Sequence, residues 1–192
     1  MLALILTAVG AYCLGAVPFS LWIAMAHHIN LRQVGSGNLG TTNVVRALGW
    51  KWGGVVLLLD ALKGFIPTWV ALTISDNPWV HIGVGILAII GHSLTFFAGF
   101  KGGKGVATGI GVLFAISPDV AGIVFAGALI GIAMTRYVAP FSLLACLLTP
   151  FLLWKFEYPF AYSFCVALIG VYIIWRHRAN ISRLIQGKEN RL

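Results

Sequence analysis

The chain has 192 residues, 59% hydrophobic and 9% charged, with a formal net charge of +8. A soluble domain carries about 25% charged residues, so this composition excludes a water-soluble enzyme and points to one compact membrane domain over 1–192. A surface this apolar also argues against nucleic acid as partner; cationic loops beside anionic lipid headgroups and anionic substrates account for the charge.

Apolar segments run over about 2–25, 54–74, 79–98, 104–117, 119–135, 138–153 and 157–175. The first ends in Ala24-Met25-Ala26, an A-x-A-like cleavage pattern, but no cation precedes it, so it reads as a span and not a leader. The expectation is an all-α membrane protein with about seven transmembrane helices. Ser117-Pro118-Asp119 and Arg136 to Pro140 are weak separators, and the intervening segments are short. Five spans, with 104–153 forming two long helices or re-entrant pieces, is the alternative.

Eleven of the thirteen Lys/Arg fall in four stretches: Arg32 to Lys51, Lys101 with Lys104, Arg136, and Arg176 to Arg191. By the positive-inside rule the N-terminus is outside and the C-terminus cytoplasmic, and both glycine-rich loops lie on the cytoplasmic face. Residues 176–192 form a basic tail, expected as a short interfacial helix.

The chemistry concentrates in two loops. Gly35-Ser36-Gly37-Asn38-Leu39-Gly40-Thr41-Thr42-Asn43 gathers small polar donors, and Arg46 follows within a helical turn. Arginine grips phosphate bidentately, and glycine lets backbone N–H groups converge on an anion. The second loop is Gly99-Phe100-Lys101-Gly102-Gly103-Lys104-Gly105. It is one residue short of a nucleotide-binding P-loop, and Gly105 stands where Ser or Thr would hold magnesium, so an NTPase is rejected. What is kept is the expectation that Gly102, Gly103 and Gly105 expose N–H groups beside Lys104 at a helix N-terminus.

Asp60 and Lys63 lie i,i+3 inside an apolar span, which calls for a mutual ion pair, either structural or bordering the site. His92 reads first as a packing histidine. His177, with Asn180 beside it at the end of the last span, is placed to orient a substrate or move a proton. Ser142 either bonds to its own backbone or reaches the site. The sequence has no metal-ligand spacing and calls for no cofactor; Cys13, Cys146 and Cys165 lie separately in apolar segments. The H-x4-D pattern of common glycerolipid acyltransferases and the G-x-S-x-G nucleophile elbow are absent.

Four ordered pieces carry a family resemblance. They are Val34 to Arg46 running on to Leu57-Leu58-Leu59-Asp60-Ala61-Leu62-Lys63-Gly64; Gly91-His92 with Phe100 to Thr108; Arg136-Tyr137 with Ser142; and His177 to Gly187. Over nearly its whole length the chain resembles the bacterial integral-membrane acyl-phosphate:glycerol-3-phosphate acyltransferases, the Y-type family. One departure is Ala139-Pro140-Phe141, where the family usually has a more polar serine-containing stretch. The resemblance implies transfer of a fatty acyl group from acyl phosphate to the 1-hydroxyl of glycerol 3-phosphate. The products are lysophosphatidic acid and phosphate, and neither acyl-CoA nor acyl carrier protein is the donor. It implies a multi-pass protein of the bacterial inner membrane. In this reading Ser36, Gly37, Asn38, Thr41, Thr42, Asn43 and Arg46 hold one phosphate, and Lys104 with Gly102, Gly103 and Gly105 holds the other. Ser142, His177 and Asn180 assist, with Asp60, Lys63 and His92 in support. Either His177 or the donor's own phosphate accepts the hydroxyl proton. A transporter of phosphate-bearing solutes is the competing class, disfavoured because 192 residues show no inverted repeat. Acyl-chain preference and oligomeric state are not encoded in any motif.

Overall fold

A computed structural model describes the chain from Met1 to Leu192, entirely helical apart from its connections. Each apolar segment becomes a helix or a broken pair. The first is split into α1 (Leu2–Ala16) and α2 (Phe19–Ala26). Pro18 brings no N–H to the ladder, and Val17 before it is extended (φ −61°, ψ 116°). The carbonyls freed by this break are used: Val17 O accepts from Lys63 Nζ at 2.9 Å, and Ala16 O from Thr95 Oγ1.

α3 (Thr41–Ile74) begins well before the expected start near residue 54 and contains one non-helical residue, Gly49 (φ 83°, ψ 176°). The turns before Gly49 carry Arg46, and the part after it is the apolar span. α4 (Pro78–Ser93) starts on an Asn77 cap whose side chain accepts from Trp79 N–H, with Pro78 at the first turn. A short 3-10 turn at Phe96–Ala98 leads into the second loop. There follow α5 (Val106–Ile116), α6 (Pro118–Thr135), α7 (Ala139–Lys155), α8 (Phe160–Arg176) and α9 (Arg178–Ile185).

Four of these units are long and apolar enough to cross a bilayer: Leu2–Ala26, Thr41–Ile74, Pro78–Ala98 and Pro118–Thr135. A fifth joins α8 to α9 across a 60° bend. With 11 residues, α5 reaches only about 17 Å at 1.5 Å per residue. Exposed side chains such as Leu2, Met134, Leu147 and Val171 present apolar surface suited to lipid tails, not water.

The helices pack closely where side chains are small. A Cβ on Gly111 of α5 would collide with the carbonyl of Ala61 in α3. That approach, with Gly64 of α3 against the Thr108 carbonyl nearer the start of α5, holds α5 against α3. The largest apolar core lies among α4 to α8 around Ile82, Ile89, Leu113, Val120 and Leu153. A second core, around Leu31, Leu39, Val44 and Val56, holds the first loop against α2 and α3.

Candidate active site

The first loop is shaped from within. Asn43 is 1% exposed; its Oδ1 accepts from Ser36 N–H at 2.9 Å, and its Nδ2 donates to Leu31 O at 3.0 Å and Val34 O at 3.1 Å. Asn43 lines the main cavity, and in this conformation its side chain shapes the loop, with Oδ1 and both Nδ2 hydrogens engaged within it. Gly37 turns the chain at φ 68°, gives its N–H to Val34 O, and does not line the cavity. Ser36, Asn38, Thr41 and Thr42 do face that cavity. Thr41 and Thr42 open α3, where N–H groups have no intrahelical acceptor, and Thr41 Oγ1 is buried without a partner.

The second loop differs from expectation in a way that matters for chemistry. Gly102 N–H donates to Ser93 O at 3.0 Å and Gly103 N–H to His92 O at 3.2 Å. Their carbonyls accept from Arg176 Nη2 at 3.1 and 2.9 Å. These two glycines are therefore a clamp, not an anion cradle: a Cβ on either would strike His92. The N–H groups left without a loop partner are those at the first turn of α5. Gly105 (φ 91°) caps that helix, and Lys104, Gly105, Val106 and Ala107 all line the cavity. Two helix N-termini, each favourable to negative charge, thus meet at one cavity with Arg46 and Lys104 beside them.

The corner between α8 and α9 supplies the remaining polar groups. His177 Nδ1 lies 2.8 Å from Ile173 O, so Nδ1–H donates and Nε2 carries a lone pair. Burial, then the Lys104 charge, pulls the His177 pKa down to about 4, which keeps the ring neutral at pH 7. Lys104 donates to Asn180 Oδ1, Asn180 Nδ2 donates to Glu189 Oε1 at 2.7 Å, and Arg183 Nε donates to Glu189 Oε2 at 2.8 Å. Burial, then the Arg183 charge, lowers the Lys104 pKa to about 8. Ser142 Oγ donates to Val138 O at 3.1 Å, one turn back in α7, and lines the cavity with lone pairs free to accept.

Behind the second loop, Lys63 Nζ pairs with Asp60 Oδ1 at 2.8 Å, and His92 Nδ1 lies 3.8 Å from the same oxygen. Asp60 and His92 border the main cavity, whereas Lys63, Gly102 and Gly103 line only a smaller pocket behind it. The Asp60–Lys63 pair is thus both structural and adjacent to the site.

The main cavity has a volume of about 230 Å³. Its polar end gives way to Val124, Phe125, Leu129, Ile132 and Phe141 of α6 and α7. At Ser142, Ala145, Val106 and Ile110 it shares walls with an almost wholly apolar cavity of about 90 Å³ that runs on to Ile82 and Ile116.

Two groups escaped the sequence reading. In the sequence Arg176 is one cation of a basic tail, yet in the fold it bonds to three carbonyls of the second loop region. Glu189 was not singled out, although a lone acid in a basic run was the available signal.

A family model for glycerol-3-phosphate acyltransferase matches residues 5–187. A glycerol-3-phosphate acyltransferase of Aquifex aeolicus is 46% identical over 182 residues, covering 94% of this chain and 95% of the relative. One from Halalkalibacterium halodurans is 45% identical over 97% of this chain and 94% of its own. The crystal structure of PlsY, an integral membrane glycerol 3-phosphate acyltransferase, in its glycerol 3-phosphate form superposes with a TM-score of 0.94 at 44% identity. That match covers 98% of this chain and 95% of the other. The lysophosphatidic acid form gives 0.91 at 42% identity, with the same coverage. The chain belongs to the glycerol-3-phosphate acyltransferase family, a family of integral membrane enzymes.

Proposed function

We propose that this enzyme moves a fatty acyl group from acyl phosphate to the 1-hydroxyl of glycerol 3-phosphate, releasing lysophosphatidic acid and inorganic phosphate. The observation that carries this reading is the convergence of two helix N-termini, with Arg46 and Lys104, on a cavity that continues into an apolar cleft. Two phosphate-bearing substrates need two centres of positive potential, and a fatty chain needs a dry slot. The related solved structures with glycerol 3-phosphate and with lysophosphatidic acid support the acceptor and the product.

Acyl phosphate is a mixed anhydride, so a covalent protein nucleophile is unnecessary. The acceptor hydroxyl oxygen forms a bond to the carbonyl carbon while the carbon–oxygen bond to phosphate breaks, and the bond electrons leave with the phosphate. Lys104 and the first turn of α5 offset the charge brought in and released, and Arg46 with Ser36, Thr41 and Thr42 fixes the second phosphate. The hydroxyl proton passes to the departing phosphate or to His177 Nε2. The acyl chain lies between α5, α7 and α8, with Ser142 at the boundary between polar and apolar walls.

An N-terminus outside and α9 on the cytoplasmic face of a bacterial inner membrane, as the charge distribution favours, would put both glycine loops on the cytoplasmic side. The test is turnover by the purified protein in detergent, with glycerol 3-phosphate and palmitoyl phosphate, palmitoyl-CoA or palmitoyl-acyl carrier protein as donor. Equal amounts of phosphate and lysophosphatidic acid from acyl phosphate alone are expected. Product from either thioester overturns the donor assignment; phosphate without lysophosphatidic acid overturns the acceptor.

A further inference from the structure

Arg46 does not stand alone at the cavity. Its Nε donates to the carbonyl of Arg191 at 3.1 Å and its Nη2 to the carbonyl of Asn190 at 2.7 Å. The segment that supplies those carbonyls is held at several points. α9 ends in a left-handed residue, Gly187 (φ 66°), with Lys188 N–H donating to Arg183 O at 2.8 Å and Gly187 N–H to Leu184 O at 3.1 Å. That pair of bonds is the Schellman arrangement, which reverses the chain at a helix end and sends Glu189 back under α9. Glu189 is 8% exposed and anchored by Asn180 and Arg183. Beyond it, the Arg191 guanidinium lies 5.0 Å from the Tyr137 ring centroid, and Leu192 N–H donates to Arg136 O at 2.8 Å. Glu189 and Leu192 both line the cavity.

We infer that residues Glu189–Leu192 form a strap that positions Arg46 for phosphate. An arginine side chain carries substantial rotamer freedom, and binding an anion with an unfixed guanidinium costs that freedom. Here two peptide carbonyls take Nε–H and one Nη2 hydrogen, leaving the Nη1 edge for substrate. The strap also joins three separate elements: the start of α3, the α6–α7 turn and α9. It therefore couples Arg46 to the Lys104–Asn180–Glu189 chain, so both phosphate cations are set by one segment. The peptide carbonyls are acceptors only and do not resemble phosphate in charge, so they orient the guanidinium without competing for it as an anion would.

The inference rests on the acyltransferase reading for its kinetics but not for its binding test. A chain ended after Glu189 keeps the Asn180 and Arg183 contacts and loses both carbonyls facing Arg46. Thermal protection by inorganic phosphate and by glycerol 3-phosphate is measured on parent and shortened protein in the same detergent. With acyl phosphate as donor, the shortened enzyme is expected to need roughly tenfold more glycerol 3-phosphate for half-maximal rate, about the effect of one charge-assisted contact, with kcat changed much less. Protection by inorganic phosphate should weaken in parallel. In an Arg46→Lys background the shortening should add nothing, because the group it positions is gone. Should the shortened chain fail to fold, Tyr137→Leu, which removes the ring facing Arg191, is expected to raise the same half-saturation value in a smaller step. Unchanged half-saturation in whichever of these variants folds, or a shortened enzyme faster than parent, overturns the strap, the second result making it a plug. A parent without transferase activity but with strap-dependent phosphate protection overturns the function and leaves the strap standing.

Discussion

Lys104 donates to the side-chain oxygen of Asn180, tying the second glycine loop to a helix 76 residues further along the chain. The contact gives Lys104 its setting, partly buried among Arg183, Arg46 and Arg176 with Glu189 as the one opposing charge. Such a cation is held near its titration point. Below about 8 Lys104 carries its proton and attracts phosphate; above it the proton and the attraction are lost. The rate at low substrate should therefore fall on the alkaline side with a midpoint near 8. Lys104→Arg should move that limb to higher pH, since guanidinium does not titrate there, and Lys104→Ala should lower kcat/KM by at least about a hundredfold. A pH profile of kcat/KM for the three proteins checks this; an alkaline limb that stays near 8 in Lys104→Arg belongs to another group.

His177 is neutral at pH 7 and presents Nε2 as an acceptor. With a pKa of about 4, protonation removes that acceptor only in acid: full acceptor above that value, none well below it. A base this weak is a poor match for neutral pH, and the departing phosphate is the better acceptor. His177→Ala should keep more than about one per cent of kcat, short of the larger losses expected when an obligatory base is removed. Its acid limb should match that of the parent. Stopped assays from pH 4 to 8 separate the cases, and a collapse of kcat with loss of the acid limb assigns the proton to the histidine.

Hydropathy located each apolar segment that becomes a helix or a broken pair, because a chain surrounded by lipid must keep its apolar runs long. Local conformation was less legible. The break at Pro18 lies inside what reads as one apolar span over 2–25, and the early start of α3 is hidden by polar residues Thr41 to Asn43, which suit a loop and a helix N-terminus equally. Residue types also identified the two loops without revealing how their groups are spent. Gly102 and Gly103 look the same in sequence whether their N–H groups meet a phosphate or Ser93 and His92. That choice depends on α4 and Arg176, both distant in the chain, and no local pattern encodes it.

The buried pair of Asp60 and Lys63 invites a stability test. Lys63 also donates to the Val17 carbonyl at the α1–α2 break, so one ammonium serves a buried carboxylate and a half-buried carbonyl. Lys63→Met strands a buried carboxylate and a free carbonyl and should cost about 3–5 kcal/mol. The double variant Asp60→Leu with Lys63→Met should recover a large part of that cost, since no unpaired charge remains. Thermal unfolding in one detergent, with both single variants and the double, gives the coupling; equal losses in Lys63→Met and the double show that the carboxylate tolerates isolation.

Arg176 acts on the second loop without facing the cavity. It donates to the carbonyls of Gly102, Gly103 and Ser93, so three elements converge on one guanidinium. Its planar fork is what lets one side chain serve carbonyls at 2.9 to 3.3 Å, and an ammonium lacks that geometry. Arg176→Lys should therefore keep the charge near Lys104 and lose the clamp. The expected result is a roughly tenfold higher half-saturation value for the substrate held by Lys104, about the loss of one hydrogen bond to a charged group. If charge were the whole contribution, Arg176→Lys would match the parent and only Arg176→Met would be impaired. Steady-state kinetics of the two variants against both substrates decides between clamp and charge, and the substrate whose half-saturation rises is the one whose phosphate sits at α5.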